Sequence, residues 1–211
     1  MARPILVVMA LELEAQGRFT PDQVLFTGVG KVNASYRLTR RLLQERALGR
    51  TPLVVNFGTA GSRGHARGSV VACRRFIQRD MDVRELGFAL GHTPFEDIPA
   101  LLEFDPVFPD LPHAVCATAD RFETLDHAPE WEVIDMEAYA LAKVCRLEGV
   151  PFACAKFITD GADSNASNDW QTNLPHAAEA FSKLFERLHG DLDINSADLE
   201  SGHTRARPPL P

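Results

Sequence analysis

The sequence has no long apolar run at its start. Ile5 to Leu11 is too short to cross a bilayer, and it leads into Glu12 and Glu14 where a secretory leader would place small residues. A cytoplasmic protein is the expectation. Positive charge is also scarce: 22 Lys and Arg stand against 29 Asp and Glu, giving a net charge of −7. That sign disfavours a nucleic-acid partner, because phosphate binding depends on clustered cations that release counterions. Arg37, Arg40 and Arg41 fall within one helical pattern and read as a solvated face. Cysteine is limited to Cys73, Cys116, Cys145 and Cys154, far apart and without a C-x-x-C pair, so nothing in their spacing suggests a zinc or redox site. They read as reduced, mostly buried thiols.

What is present is a globular balance, 45% hydrophobic and 24% charged over 211 residues, enough for one domain with a sizeable core. Short β-rich runs alternate with helical patterns, which predicts an α/β fold: one three-layer domain with a central mixed, largely parallel sheet flanked by helices. The strand candidates are Ile5 to Met9, Gln23 to Thr27, Leu53 to Phe57, Ser69 to Ile77, Ala114 to Thr118, Glu132 to Asp135 and Pro151 to Phe157. Helices are predicted for Lys31 to Ala47 and Glu137 to Glu148, followed by Gly49 and Gly149 as helix ends often are. A third helix follows from Ala177, Ala180, Phe181, Leu184, Phe185 and Leu188, which recur at helical spacing on one stripe. After Gly190 the composition turns to Asp, Ser, Gly, Arg and Pro, so residues 1–190 are read as the domain and 191–211 as a flexible tail.

Three segments put a carboxylate or a glycine turn just past a predicted strand, where open α/β sheets gather their ligand sites. They are ILVVMALELEA with Glu12 and Glu14, VVNFGTAGSRG, and KFITDGAD with Asp160. Each has an ordinary reading as well. Glu14 could be a helix-start carboxylate favoured by the dipole, Asp160 an Asx turn before Gly161, and Glu137 a first-turn carboxylate of its helix. The turn Gly58-Thr59-Ala60-Gly61 lacks the spacing of the dinucleotide fingerprint and of the P-loop.

Taken in order, these segments resemble the nucleoside phosphorylase/nucleosidase superfamily, most of all its methylthioadenosine/S-adenosylhomocysteine nucleosidases. The resembling stretches are MALELEA, TGVGKVNAS, VVNFGTAGS, DMDVRELGFALGHTP, ATADRF, VIDMEAYALAKVC and VPFACAKFITDGAD. The resemblance implies hydrolysis of the N-glycosidic bond of an adenine nucleoside, with no metal and no organic cofactor. By the same resemblance Asp160 gives a proton to purine N7, Glu14 holds and deprotonates the water, and Glu137 accepts hydrogen bonds from ribose hydroxyls beside Met136. Phe122 would stack on adenine, the backbone of Glu123 would read the base edge, and Thr59 and Ala60 would stand in the turn near the sugar. The family is usually dimeric, so a homodimer is expected, with the loop Gly91 to Phe95 near the partner's site.

The chain departs from the family in three places that bear on the site. Glu123 replaces an aliphatic residue, Gly61-Ser62 a Gly-Gly pair, and Lys156 an arginine. Two other functions are carried alongside hydrolysis. A phosphorolytic enzyme of the same superfamily would need arginines around phosphate. Asn56 stands where the phosphorylase branch has one, while Arg18 and Arg63 remain candidates. A non-catalytic nucleoside-binding protein is the other, disfavoured by the retention of all three carboxylates.

Overall fold

Alternation along the strands sets up the layers. In β1 (Ile5–Met9), Leu6 and Val8 point into one apolar cluster and Val7 and Met9 into another, and β8 (Phe152–Asp160) repeats this with Phe152, Cys154 and Ile158 against Ala153, Ala155 and Phe157. A strand buried on both faces needs cover on both. One cover is α2 (Lys31–Ala47) with α3 (Ala138–Glu148), through Ala34, Leu38, Leu42, Leu141 and Cys145. The other is α4 (Ala166–Ser201), whose Ala177, Phe181, Leu184 and Leu188 form the predicted stripe. Phe181 stacks on Phe57 with ring centres 5.0 Å apart. The computed structural model describes residues 3–122, 131–160 and 166–201, with the backbone alone for 166–169, 171 and 192–201.

The sheet has eight strands in the order β2 (Val24–Phe26), β1, β3 (Leu53–Gly61), β7 (Val133–Asp135), β6 (His113–Thr118), β4 (Val70–Gln78), β5 (Leu101–Glu103), and β8 pairs with both β3 and β4. Five pairings are parallel, while β3 with β7, β4 with β5 and β4 with β8 are antiparallel. Because β8 bridges β3 and β4, the strands β3, β8, β4, β6 and β7 form a closed ring. It closes at a single β3 to β7 pair, Gly61 opposite Ile134. The expected three-layer, mixed and largely parallel architecture is what is found.

Two expectations need correcting. Gly58 to Gly61 is not a turn: β3 runs on to Gly61, because its parallel pairing with β8 continues through Thr59 to Phe157 and Ala60 to Ile158. Asp160 likewise ends β8 rather than following it. The backbone of helix α4 is helical to Ser201. The short β5 and the four-residue helix α1 (Glu12–Ala15) carried too little pattern to be predicted.

Candidate active site

Glu14 is the helix-start carboxylate its sequence allowed, and it also reaches across to β3. It is the third residue of α1, where its Oε2 accepts the N–H of the N-cap Leu11 at 3.1 Å, closing a capping interaction. Its Oε1 accepts the Thr59 N–H and the Thr59 hydroxyl, both at 2.9 Å. Three donors from two elements fix this buried carboxylate at the end of β1 against the end of β3. Gly58 leaves room for the neighbouring cation: a Cβ there would crowd Lys156 Nζ at 3.2 Å, whereas Glu14 Oε1 at 3.5 Å would be an ordinary contact.

Asp160 arrives by register. It pairs with Gly61, and the β3 to β8 register shifts between Ala60 and Gly61, next to the pair that closes the ring. The irregularity draws the ends of β3, β7 and β8 together, which is how Thr59, Ala60, Asp135 and Asp160 come to share one place. Asp160 is buried, and its Oδ2 accepts the Thr159 hydroxyl at 2.8 Å.

Glu137 is the N-cap of α3 rather than a first-turn residue, and its backbone turns the chain out of β7. Its Oε1 accepts the Gly30 N–H at 2.8 Å, so it also caps α2, whose next N–H, on Lys31, goes to Asp120 at 2.8 Å. Gly30 is required there, with φ at +93° and a would-be Cβ 3.1 Å from Asp120. This explains the G-V-G-K segment: it delivers a helix start to two carboxylates. Burial pushes the Glu137 carboxyl up to about 7, with Asp135 and Glu14 adding to the rise and Lys156 and the Gly30 N–H opposing it.

Beneath Glu137 lies an ion pair fully withdrawn from water, Lys156 Nζ to Asp135 Oδ2 at 2.9 Å. Asp135 also accepts the Thr118 hydroxyl at 2.5 Å and the Ala138 N–H at 2.8 Å. Burial works against both charges. Their mutual attraction outweighs it, holding the Asp135 carboxyl below and the Lys156 ammonium well above their ordinary values.

These groups line a cavity of about 350 Å³. Glu14, Thr59, Ala60, Phe122, Met136, Glu137 and Asp160, all proposed from sequence, are on its wall. Glu123 lies outside the described residues. Arg18 and Arg63 are not among the lining residues, and Asn56 is spent internally, its amide donating to the Val8 and Phe57 carbonyls and its oxygen accepting the Cys154 thiol. The sequence reading missed Arg79, Arg121 and Trp170 on the wall. Arg121 immediately precedes Phe122 and could have been found from that. Trp170 gave one signal, an indole standing in the polar stretch SNASNDWQTN. Among the described residues no cluster of His, Cys, Asp and Glu has the geometry of a metal site, and no helix is long and apolar enough to cross a membrane. All four cysteines are free and buried.

Solved structures share this fold. A Helicobacter pylori nucleosidase mutant with 5′-methylthioadenosine in its active site superposes with a TM-score of 0.78 at 18% identity, covering 90% of this chain and 100% of that one. The futalosine hydrolase of the same organism gives 0.77 at 19%, covering 90% and 99%. In sequence, the 5′-methylthioadenosine/S-adenosylhomocysteine nucleosidase of Haemophilus influenzae is 31% identical over 183 residues, covering 76% of this chain and 77% of its own length. That of Staphylococcus saprophyticus is 27% identical over 197 residues, covering 82% and 84%. The family model described as the phosphorylase superfamily matches residues 19–189. With the carboxylates, the strand ends and the sequence in agreement, the chain belongs to the phosphorylase superfamily, among its 5′-methylthioadenosine/S-adenosylhomocysteine nucleosidases.

Proposed function

We propose that the protein hydrolyses the N-glycosidic bond of an adenine nucleoside such as 5′-methylthioadenosine or S-adenosylhomocysteine, releasing adenine and the 5-substituted ribose. The observation that carries this is the convergence of Glu14, Glu137 and Asp160, distant in sequence, on one cavity. In the step we infer, Asp160 delivers a proton to N7 while the C1′–N9 bond breaks and its electron pair leaves with the base. A water attacks C1′ and its proton passes to Glu14. Glu137, with one oxygen held by Gly30, has its second for a ribose hydroxyl. Phe122 supplies a stacking face and Met136 packs by the sugar.

Water is favoured over phosphate because an entering dianion would meet the charge of Glu14, and the position of the phosphorylase arginine is an inward-bonded Asn56. Arg79 and Arg121 do line the cavity, from the segments that follow β4 and β6, and would be the cations for an anion if turnover proved to depend on phosphate. A homodimer belongs to the same reading. Phe95 is 97% exposed in the loop proposed to reach the partner, and Val32 and Tyr36 stand uncovered one turn apart on α2.

The test is turnover of methylthioadenosine in phosphate-free buffer by the wild type and by Asp160→Asn. Free adenine should form at a rate indifferent to added phosphate, and the variant should bind the substrate but lose ~10² to 10⁴-fold in kcat. Ribose 1-phosphate as product, or an Asp160→Asn enzyme as fast as wild type, overturns it.

A further inference from the structure

Thr59 has a single hydroxyl proton, and its place is determined by its neighbours. Thr59 Oγ1 lies 2.9 Å from Glu14 Oε1 and 2.9 Å from Trp170 Nε1. An indole N–H can only donate and a carboxylate can only accept. The chain therefore has one direction: Trp170 donates to the Thr59 oxygen, and the Thr59 hydroxyl donates to Glu14. Were the indole N–H absent, the hydroxyl would lose one of the two neighbours that fix its rotation, and its bond to Glu14 would be less firmly aimed. Consecutive hydrogen bonds also polarise one another, so the indole strengthens the hydroxyl's bond to the carboxylate.

Trp170 lines the cavity ten residues after Asp160 and is on α4, whereas Glu14 is on α1 and Thr59 on β3. The relay therefore ties the helix that follows the proposed acid to the carboxylate proposed to act on water. We propose that Trp170 is a positioning residue for Glu14, acting through the Thr59 hydroxyl to fix the carboxylate that takes the proton from water. This rests on the hydrolytic reading above. A ring that only walled the cavity would contribute to substrate affinity and would need no N–H.

Trp170→Phe keeps the ring and removes the donor. On methylthioadenosine it should lower kcat roughly three- to tenfold, the worth of one hydrogen bond, with KM changed less than about twofold. In a Thr59→Val background the same change should have no further effect on kcat, because the link is already cut. Loss confined to KM, wild-type kcat, or an equal loss in the Thr59→Val background overturns the proposal. A second readout does not depend on turnover. The chain has two tryptophans, so the Trp170 indole ¹⁵N–¹H resonance can be assigned against Trp131. It should exchange slowly with solvent in the wild type and shift and exchange faster in Thr59→Val, with Trp131 unmoved. An indole that ignores Thr59→Val overturns the relay even if the wild type proves inactive on every nucleoside. An inactive wild type with a responsive indole removes the hydrolytic reading, and with it the role assigned to Trp170.

Discussion

At the scale of single residues, one carboxyl is poised to change charge near neutrality. Glu137 titrates at about 7 in the folded protein against about 4.5 when unperturbed, with burial the main cause. Between those values the folded state holds more protons than the unfolded one, so this group's contribution to stability is full below about pH 4.5 and is lost as pH rises through 7. The difference is about 3 kcal/mol. Glu137→Gln keeps an oxygen for the Gly30 N–H and cannot ionise. Urea unfolding from pH 5 to 8 should show the variant gaining on wild type as pH rises, and two parallel profiles would refute the assignment. In kinetics the sign reverses: the ionised form is the better acceptor for ribose hydroxyls, so wild-type KM should rise as pH falls below about 7. The variant's KM should be higher and flat.

How much of this was legible in sequence differs residue by residue. Glu14, Glu137 and Asp160 are singled out in sequence by the family resemblance that their segments carry in order, and the structure brings all three to one cavity. Asp135 and Lys156 were not read as a pair, since 21 positions separate them and only the closure of the strand ring brings them together. Trp170 could be seen as an aromatic in a polar stretch, but its partner Thr59 lies 111 residues away, and no periodicity encodes that distance.

At the scale of elements, period-2 burial made β1 and β8 readable, and the stripe of α4 was equally plain. The ends were not. Thr59 and Asp160 look like turn residues beside glycines, yet parallel pairing of β3 with β8 carries both strands to the cavity wall. The first N–H of helix α3, on Ala138, is taken by the Asp135 carboxylate at the end of β7, and Lys156 keeps that carboxylate charged inside the protein. Lys156→Met should therefore cost about 3 to 5 kcal/mol in chemical denaturation at pH 7, because Asp135 is left buried without its cation. Adding Asp135→Asn should restore most of the loss. If the single variant is as stable as wild type, the pair does not hold the β7 to α3 corner.

At the scale of the whole molecule, the feature without an internal explanation is the apolar surface around residues 88–95. Phe88 packs edge-on against Phe95 at 5.7 Å and stacks on His92 at 5.6 Å, yet Phe95 itself is 97% exposed with φ at +63°, a conformation disfavoured for a phenylalanine. The loop is nonetheless held in place: the Gly91 N–H bonds the Met81 carbonyl, and a Cβ on Gly91 would fall 2.6 Å from Ile77. A loop presenting an uncovered aromatic ring is what a second copy would bury, together with Val32 and Tyr36 on α2. Phe95→Asp removes a side chain that is 97% exposed and touches its own chain through the Phe88 ring, so unfolding should change by no more than about 1 kcal/mol. Sedimentation velocity should show wild type as a dimer and Phe95→Asp shifted toward monomer, with kcat/KM falling as the monomer fraction grows. A wild-type enzyme that is fully active as a monomer across the concentration series would show that the loop serves no partner.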